Sequence, residues 1–227
     1  MKINKTAILV FANSAEKELK LKSIQSASVF ELLNFEVLKT VKKTGLPYFH
    51  FSEKEQIGAS FGERFSNAIQ AIYNKGFNTV ISVGNDTPHL KASHILKAKQ
   101  KLESSDYVFG PSTDGGFYLM GFKKTHFKKT QFEALPWQTS KLQYVLRKNL
   151  NGKKRDVFYL ETLSDIDTVS DIDVILNSFK ALVFKLKALL ISIRKIDSHS
   201  SAPVKYRLNN IYFKIHQNKG SPILRPI

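Results

Sequence analysis

Between Val83 and Gly121, two loops rich in glycine and aspartate each follow a short apolar run of strand length. The first is Gly84-Asn85-Asp86-Thr87-Pro88 and the second is Gly110-Pro111-Ser112-Thr113-Asp114-Gly115-Gly116. A carboxylate at the end of a buried strand, beside a glycine that lets a ligand approach the backbone, is how open α/β sheets build sites for phosphorylated ligands. Two such loops in one stretch carry far more weight than one.

The rest of the chain supplies the strands and helices that such a sheet needs. Thr6 to Phe11 is a continuous apolar run, fit for a strand buried on both faces. Residues 26–43 place Phe30, Leu33, Val37 and Val41 at helical spacing and end at Gly45 and Pro47. Tyr48 to Phe51 reads as a second strand. Ser60 and Glu63 have the spacing of a capping box, in which hydroxyl and carboxylate satisfy each other's orphan amides. The helix it opens turns Phe65, Ile69 and Ile72 inward and stops at Gly76. Thr79–Val83, Tyr107–Phe109, Phe117–Phe122 and Asp156–Leu160 complete the strands, with a helix from about Ser93 to Leu102 and another capped by Thr168 and Asp171. Strands and helices alternating at this length predict a doubly wound, largely parallel α/β sheet with right-handed crossovers.

Residues 174–196 read differently. Ile175, Phe179, Leu182, Val183, Leu186, Leu189, Leu190 and Ile193 fall on one helical face, and Lys180, Lys187 and Arg194 recur every seven residues on the other. The spacing predicts an amphipathic helix that packs on the domain, with docking on a membrane surface as the alternative. The expected organisation is therefore a domain at 1–176 and a basic helix and tail at 177–227, with a short strand near Ile211-Tyr212-Phe213.

Charge follows the same division. The net charge is +16, and residues 176–227, with ten Lys/Arg and the single acid Asp197, hold +9 of it. Such a tail fits an anionic surface or partner, or else a solvated face. Nucleic acid is a weaker reading, since the aromatics lie in strands and helical faces rather than among the Lys/Arg residues. The absence of cysteine excludes disulfides, thiolate zinc sites and a cysteine nucleophile. The six histidines form no His-x-x-x-His pair, which leaves oxygen ligands and a hard cation as the metal chemistry. The first apolar run is too short for a signal peptide or a bilayer span, so the expected location is cytoplasmic, with the tail allowing peripheral contact with the inner face of the membrane.

Three constellations carry the chemistry. Asp86 stands where a carboxylate can chelate a divalent ion that also holds a pyrophosphate, although it can equally organise its own turn. Asp114-Gly115-Gly116 is a hairpin turn signal and also a loop small enough for a ligand to lie along its amides. Asp165 and Asp167, two residues apart in an extended segment, point the same way, and Asp167 or Thr168 also suits a helix cap.

Taken in order, Gly58-x-x-Phe61-Gly62-Glu63-Arg64, the Asp86 loop, Gly110-Pro111-x-x-Asp114-Gly115-Gly116-Phe117-Tyr118-Leu119-x-Gly121, Pro136-Trp137-x-Thr139 and Asp165-Ile166-Asp167-Thr168-x-x-Asp171 resemble a bacterial group of glycosyltransferase-like proteins. The group is related to the phospholactate guanylyltransferase of deazaflavin-cofactor synthesis, and the resemblance covers roughly residues 6–176. It implies a glycosyltransferase A-type fold and a metal-dependent glycosyl- or nucleotidyltransferase acting on a nucleotide-sugar or nucleoside triphosphate. By that likeness Asp86 and Asp167 hold Mg2+ or Mn2+, and Asp86 and Asp114 are catalytic. Arg64, Asn85, Gly115, Gly116, Trp137 and Thr139 contact substrate, Arg64 near phosphate and the Gly115–Gly116 loop against the acceptor.

One stretch departs from the group. After the first strand its members carry a basic loop, Arg-x-Pro-x-x-Gly-x-x-Lys-Thr-Arg, that cradles phosphates. Here the arginine position is Asn13, the proline Ala15 and the glycine Glu18, and only Lys22 and Ser23 echo the basic end. Glutamates in a phosphate cradle repel the ligand that a guanidinium would clamp. Either other residues bind the nucleotide, or the chain is a non-catalytic relative whose basic tail carries the function.

Overall fold

The computed structural model describes residues 5–151 and 155–200, with side chains through Lys195. The first apolar run forms β1 (Thr6–Phe11), whose alternate residues are buried on opposite faces. Then come α1 (Ala15–Leu21), α2 (Ala27–Lys42), β2 (Tyr48–Phe51), α3 (Phe61–Asn74), β3 (Thr79–Val83), α4 (Ala92–Lys101) and β4 (Tyr107–Pro111). The chain continues through β5 (Phe117–Lys123), α5 (Lys129–Glu133), α6 (Leu142–Asn151), β6 (Val157–Tyr159), α7 (Val169–Asn177) and α8 (Phe184–Ser200). Neither α5 nor α6 was anticipated from the sequence.

The six strands lie in one sheet in the order β2-β1-β3-β5-β4-β6. All pair in parallel except β5, which runs antiparallel between β3 and β4. It does so because the Ser112–Gly116 turn returns the chain beside β4 at once, with Ser112 N donating to Gly116 O at 2.9 Å, instead of crossing over. Every other strand therefore ends on the same edge of the sheet. Because β1 lies between β2 and β3, the chain leaves it toward opposite sides on successive crossovers, which opens a crevice at that edge.

Period-two alternation divides the core. Ala7, Leu9, Val80, Phe109 and Phe122 face α3, α5 and α6, while Ile8, Val10, Ile81 and Val108 face α2 and α4. The capping box at α3 forms as the spacing predicts: Glu63 N donates to Ser60 Oγ at 3.1 Å, and Ser60 N to Glu63 Oε2 at 3.2 Å.

A third apolar cluster joins the C-terminal helices to the rest. Leu186 and Leu190 of α8 are buried with Ile24, Phe30, Leu33, Ile166, Ile172 and Ile175. The continuous helix expected over 174–196 is broken. α7 stops at Asn177, Ser178 turns extended (φ −70°, ψ 146°), and Phe179 projects fully into solvent. The break has identifiable partners: Ser178 Oγ donates to Ile175 O at 2.8 Å and meets His89 Nε2 at 3.3 Å, and Lys180 Nζ donates to Glu161 Oε2 at 2.7 Å. These contacts compete with helical continuation. Among the described residues no helix is long and apolar enough to cross a membrane. The expected strand at 211–213 and most of the basic tail lie outside the described residues.

Two predictions test this arrangement. Leu190→Ala is expected to cost about 2–5 kcal/mol in urea unfolding, the range for a truncated buried leucine, whereas Phe179→Ala shifts stability by no more than about 0.5 kcal/mol. Equal effects would mean that α8 does not dock as described. The second concerns pH. Burial holds the His89 imidazole below its ordinary pKa, and the nearby Lys180 ammonium acts in the same direction. Burial likewise lowers His94, with Glu161 opposing. A depressed histidine favours the fold fully above the unfolded value, near 6.5, and that contribution is lost as pH falls toward the folded values. The urea midpoint should therefore drop between pH 7.5 and 5.5, and less steeply in His89→Gln; an identical slope in the variant would remove His89 from the account.

Candidate functional site

The crevice at the strand ends is a cleft of about 1160 Å³. Its walls come from the loops after β1, β3 and β4, from the segment leading into α7, and from α1, α3 and the loop before α6. Backbone bonds bring these segments together. Leu163 N donates to Pro111 O at 3.1 Å, Thr113 N to Leu163 O at 3.1 Å, and Ile166 N to Asp86 O at 2.9 Å, so residues 163–167 run along the ends of β4 and β3. At the switch point Asn34 of α2 reaches both neighbouring loops, accepting from Asn85 Nδ2 at 2.7 Å and donating to Asn13 O at 3.1 Å.

Asp86, Asp114, Asp165 and Asp167 all line this cleft, together with Glu18 and Glu53, whereas the cationic residues of the lining are Lys17, Lys22 and Arg64. In a chain of net charge +16, this cleft is thus rich in carboxylates. An anionic ligand entering it meets more negative than positive side chains, so Lys17 and Arg64 alone do not offset the lining.

The four aspartates have different partners. Asp86 Oδ2 and Asp167 Oδ1 converge on the Lys22 ammonium, at 3.1 and 2.7 Å. Lys22 also donates to Ile166 O at 3.0 Å and lies 3.6 Å from Glu18 Oε2. Burial works against the Lys22 charge, but the carboxylates of Asp86, Asp167 and Glu18 outweigh it and raise its pKa above the ordinary lysine value. Burial pushes the Asp165 carboxyl up to about 8, with the Asp86 charge adding to it, against a hydrogen bond from Thr87 Oγ1 at 2.5 Å. Asp114 is turned to its own loop: its Oδ1 accepts from Ser112 Oγ at 2.5 Å and from Gly116 N at 2.8 Å.

The remaining expected contacts fall into two groups. Arg64, Asn85, Gly116, Trp137 and Thr139 line the cleft, and Gly115 supports it from behind. Gly115 has φ +96°, and a Cβ there would meet the Ser140 carbonyl oxygen at 2.7 Å, so only glycine lets the turn pack on the loop before α6. Trp137 is fixed by its indole N–H, which donates to Phe132 O at 2.6 Å, and its ring packs against Phe61 and Phe65. It seats there because Gly62 carries no Cβ, which would lie 2.8 Å from Trp137 Cδ1. Thr139 Oγ1 donates to Pro136 O, and Arg64 Nη1 to Ala59 O at 3.0 Å. At α7 the cap is made by Asp171, whose Oδ2 accepts from Thr168 N at 2.7 Å and Asp167 N at 3.0 Å, and this leaves the Asp167 carboxylate for Lys22.

The stretch that departs from the basic-loop pattern forms helix α1, capped by Ser14, whose Oγ accepts from Lys17 N at 3.3 Å. Ser14 in turn donates through N and Oγ to Glu53 at 2.7 Å. Its helical form delivers Glu18 and Lys22, at i and i+4, to the aspartates. Both residues stand out in the sequence, Glu18 as a departure from the basic-loop pattern and Lys22 as an echo of its basic end, but not as a pair. The available signal was that i, i+4 spacing beside the first strand's end.

Among the described residues no three His, Cys, Asp or Glu side chains cluster as a metal-binding group. The donor set nevertheless suits a hard divalent ion, because two carboxylates from separate loops already hold a cationic group between them. Mg2+-type sites commonly use one or two carboxylates and take their remaining ligands from water and phosphate.

A search among curated proteins gives no match. Among solved structures, a "putative nucleotide-diphospho-sugar transferase" from Desulfovibrio desulfuricans G20 superposes with a TM-score of 0.72 at 21% identity, covering 86% of this chain and 98% of that one. A 4-diphosphocytidyl-2C-methyl-D-erythritol synthase from Anaerococcus prevotii gives 0.48 at 9% identity, over 86% and 100% of the two chains. A Mycobacterium tuberculosis H37Rv protein in complex with manganese gives 0.46 at 12% identity, over 78% and 100%. Residues 43–139 match a family described as "Uncharacterized protein conserved in bacteria (DUF2064)". The family match thus runs from the end of α2 to the loop before α6, within a fold shared with the Desulfovibrio protein.

Proposed function

We propose that the protein is a metal-dependent glycosyl- or nucleotidyltransferase that takes a nucleotide-sugar or a nucleoside triphosphate at the strand-end cleft. The observation that carries this reading is the convergence of Asp86 Oδ2 and Asp167 Oδ1, from separate loops, on one cation position. Mg2+ or Mn2+ held there by Asp86 and Asp167 would offset the charge of the departing phosphate or diphosphate.

The chain's own groups do the rest by positioning. Lys17 and Arg64 supply positive charge on the cleft wall, where the acidic lining would otherwise repel phosphate. Asn34, tied to both Asn13 and Asn85, keeps the loops after β1 and β3 in register on either side of the switch point. The Gly115–Gly116 turn, shaped by Asp114, offers a close-packed edge for the acceptor beside Trp137 and Thr139. Asp114, with one oxygen engaged by Ser112 and Gly116, is assigned to holding that turn in place. Such transfer requires no covalent nucleophile on the protein, which agrees with a cysteine-free chain.

Thermal unfolding of the full-length protein tests the proposal. CTP, GTP or UDP-glucose together with Mn2+ should raise the transition, by about 2.7 kcal/mol of stabilisation at a hundredfold excess over Kd, and each component alone should do far less. Asp86→Asn and Asp167→Asn should abolish the combined effect. No shift with any nucleotide, in the presence or absence of Mg2+ or Mn2+, would sink the reading.

A further inference from the structure

Resting on the metal-dependent reading, we infer that Lys22 is the resident cation of the metal position: its ammonium and a divalent ion occupy the space between Asp86 and Asp167 in exclusion of each other. Loading the ion expels the lysine side chain.

The geometry is specific. An ammonium has three hydrogens, and three acceptors meet Lys22 Nζ within hydrogen-bond distance: Asp167 Oδ1 at 2.7 Å, Ile166 O at 3.0 Å and Asp86 Oδ2 at 3.1 Å. Its donor capacity is filled by the Ile166 carbonyl together with the two carboxylates that a hard cation would use, so the group has none left for phosphate while it stays there. The Lys22 side chain is only 13% exposed, while the Asp86 and Asp167 side chains, at 33% and 44%, remain open to an incoming ion.

The position of Lys22 in the chain allows it to leave. It is the C-cap of the seven-residue helix α1, outside the sheet, with its backbone N–H bonded to Glu18 O. A side-chain rotation therefore breaks no strand pairing. Glu18, whose carboxylate is held by Asn13 Nδ2 at 2.9 Å and lies 3.6 Å from Nζ, gives the displaced ammonium a second partner. The lysine thus has two stations, and the charge of the bound cation decides between them. In the metal-free protein this arrangement keeps two facing carboxylates from repelling each other. On loading, it moves the ammonium to Glu18 on the cleft wall in the same event that brings in the divalent ion.

The test uses full-length protein and Mn2+ alone, with unbound Mn2+ read by electron paramagnetic resonance. Lys22→Met, nearly isosteric and uncharged, should bind Mn2+ at least tenfold more tightly than the wild type. In the wild type, Mn2+ should speed acylation of the Lys22 amine by an N-hydroxysuccinimide ester at least fivefold, read by peptide mass spectrometry; this second measurement stands even if the variant folds poorly. Equal Mn2+ affinity in the two proteins, with unchanged Lys22 labelling, would overturn the inference and leave the metal-dependent reading intact. Failure of both proteins to bind Mn2+, with CTP present or absent, would remove that reading and the inference with it.

Discussion

A single ammonium group among carboxylates from three places in the chain organises the strand-end edge. Lys22 ties α1 to the loop after β3 and to the segment entering α7, and each of its partners is a residue that would otherwise repel the others. The net stability of such a cluster is modest, because desolvation offsets much of the Coulomb attraction. Its specificity is greater. Removing the lysine leaves like charges facing each other in a partly buried site, so the cluster selects one mutual arrangement of three segments. The Ile166 N to Asp86 O bond then fixes that arrangement in the backbone.

The same cluster explains how a strongly basic chain can have an acidic cleft. An exposed lysine outside the cleft has its charge screened within about 8–10 Å, while the cleft carboxylates lie between low-dielectric walls that focus their field. The global charge of +16 therefore says little about what the cleft attracts. Local composition decides, and there Lys22 is already matched by its own neighbours. A ligand bearing phosphates meets Lys17 and Arg64 on the cleft wall, and further positive charge comes with an added cation or from a rearranged Lys22.

Much of this was readable in the chain. Apolar runs of strand length marked all six strands, and the Ser60–Glu63 spacing marked the start of α3, because both signals are local and depend on few neighbours. The positions of Asp86, Asp114, Asp165 and Asp167 on one cleft followed from strand-end logic and two-residue alternation. The failures arose where tertiary partners overrule local pattern. The apolar face from Ile175 to Ile193 is periodic, yet Ser178 and Lys180 find His89 and Glu161 and break the helix. The glutamate at position 18 looked hostile to phosphate, and its pairing with Lys22 and Asn13 becomes visible only once α1 is folded. The short α5 carries one buried residue, Phe132, too little periodicity to reveal it.

Trp137 is the only tryptophan in the chain, and its indole is held at the mouth of the cleft by a single carbonyl and a cage of phenylalanines. The ultraviolet emission of the whole protein above about 300 nm on selective excitation therefore originates at one address. Any molecule that enters that mouth changes the polarity or collisional quenching of this one fluorophore, so the chain comes with its own optical gauge of occupancy and needs no attached dye.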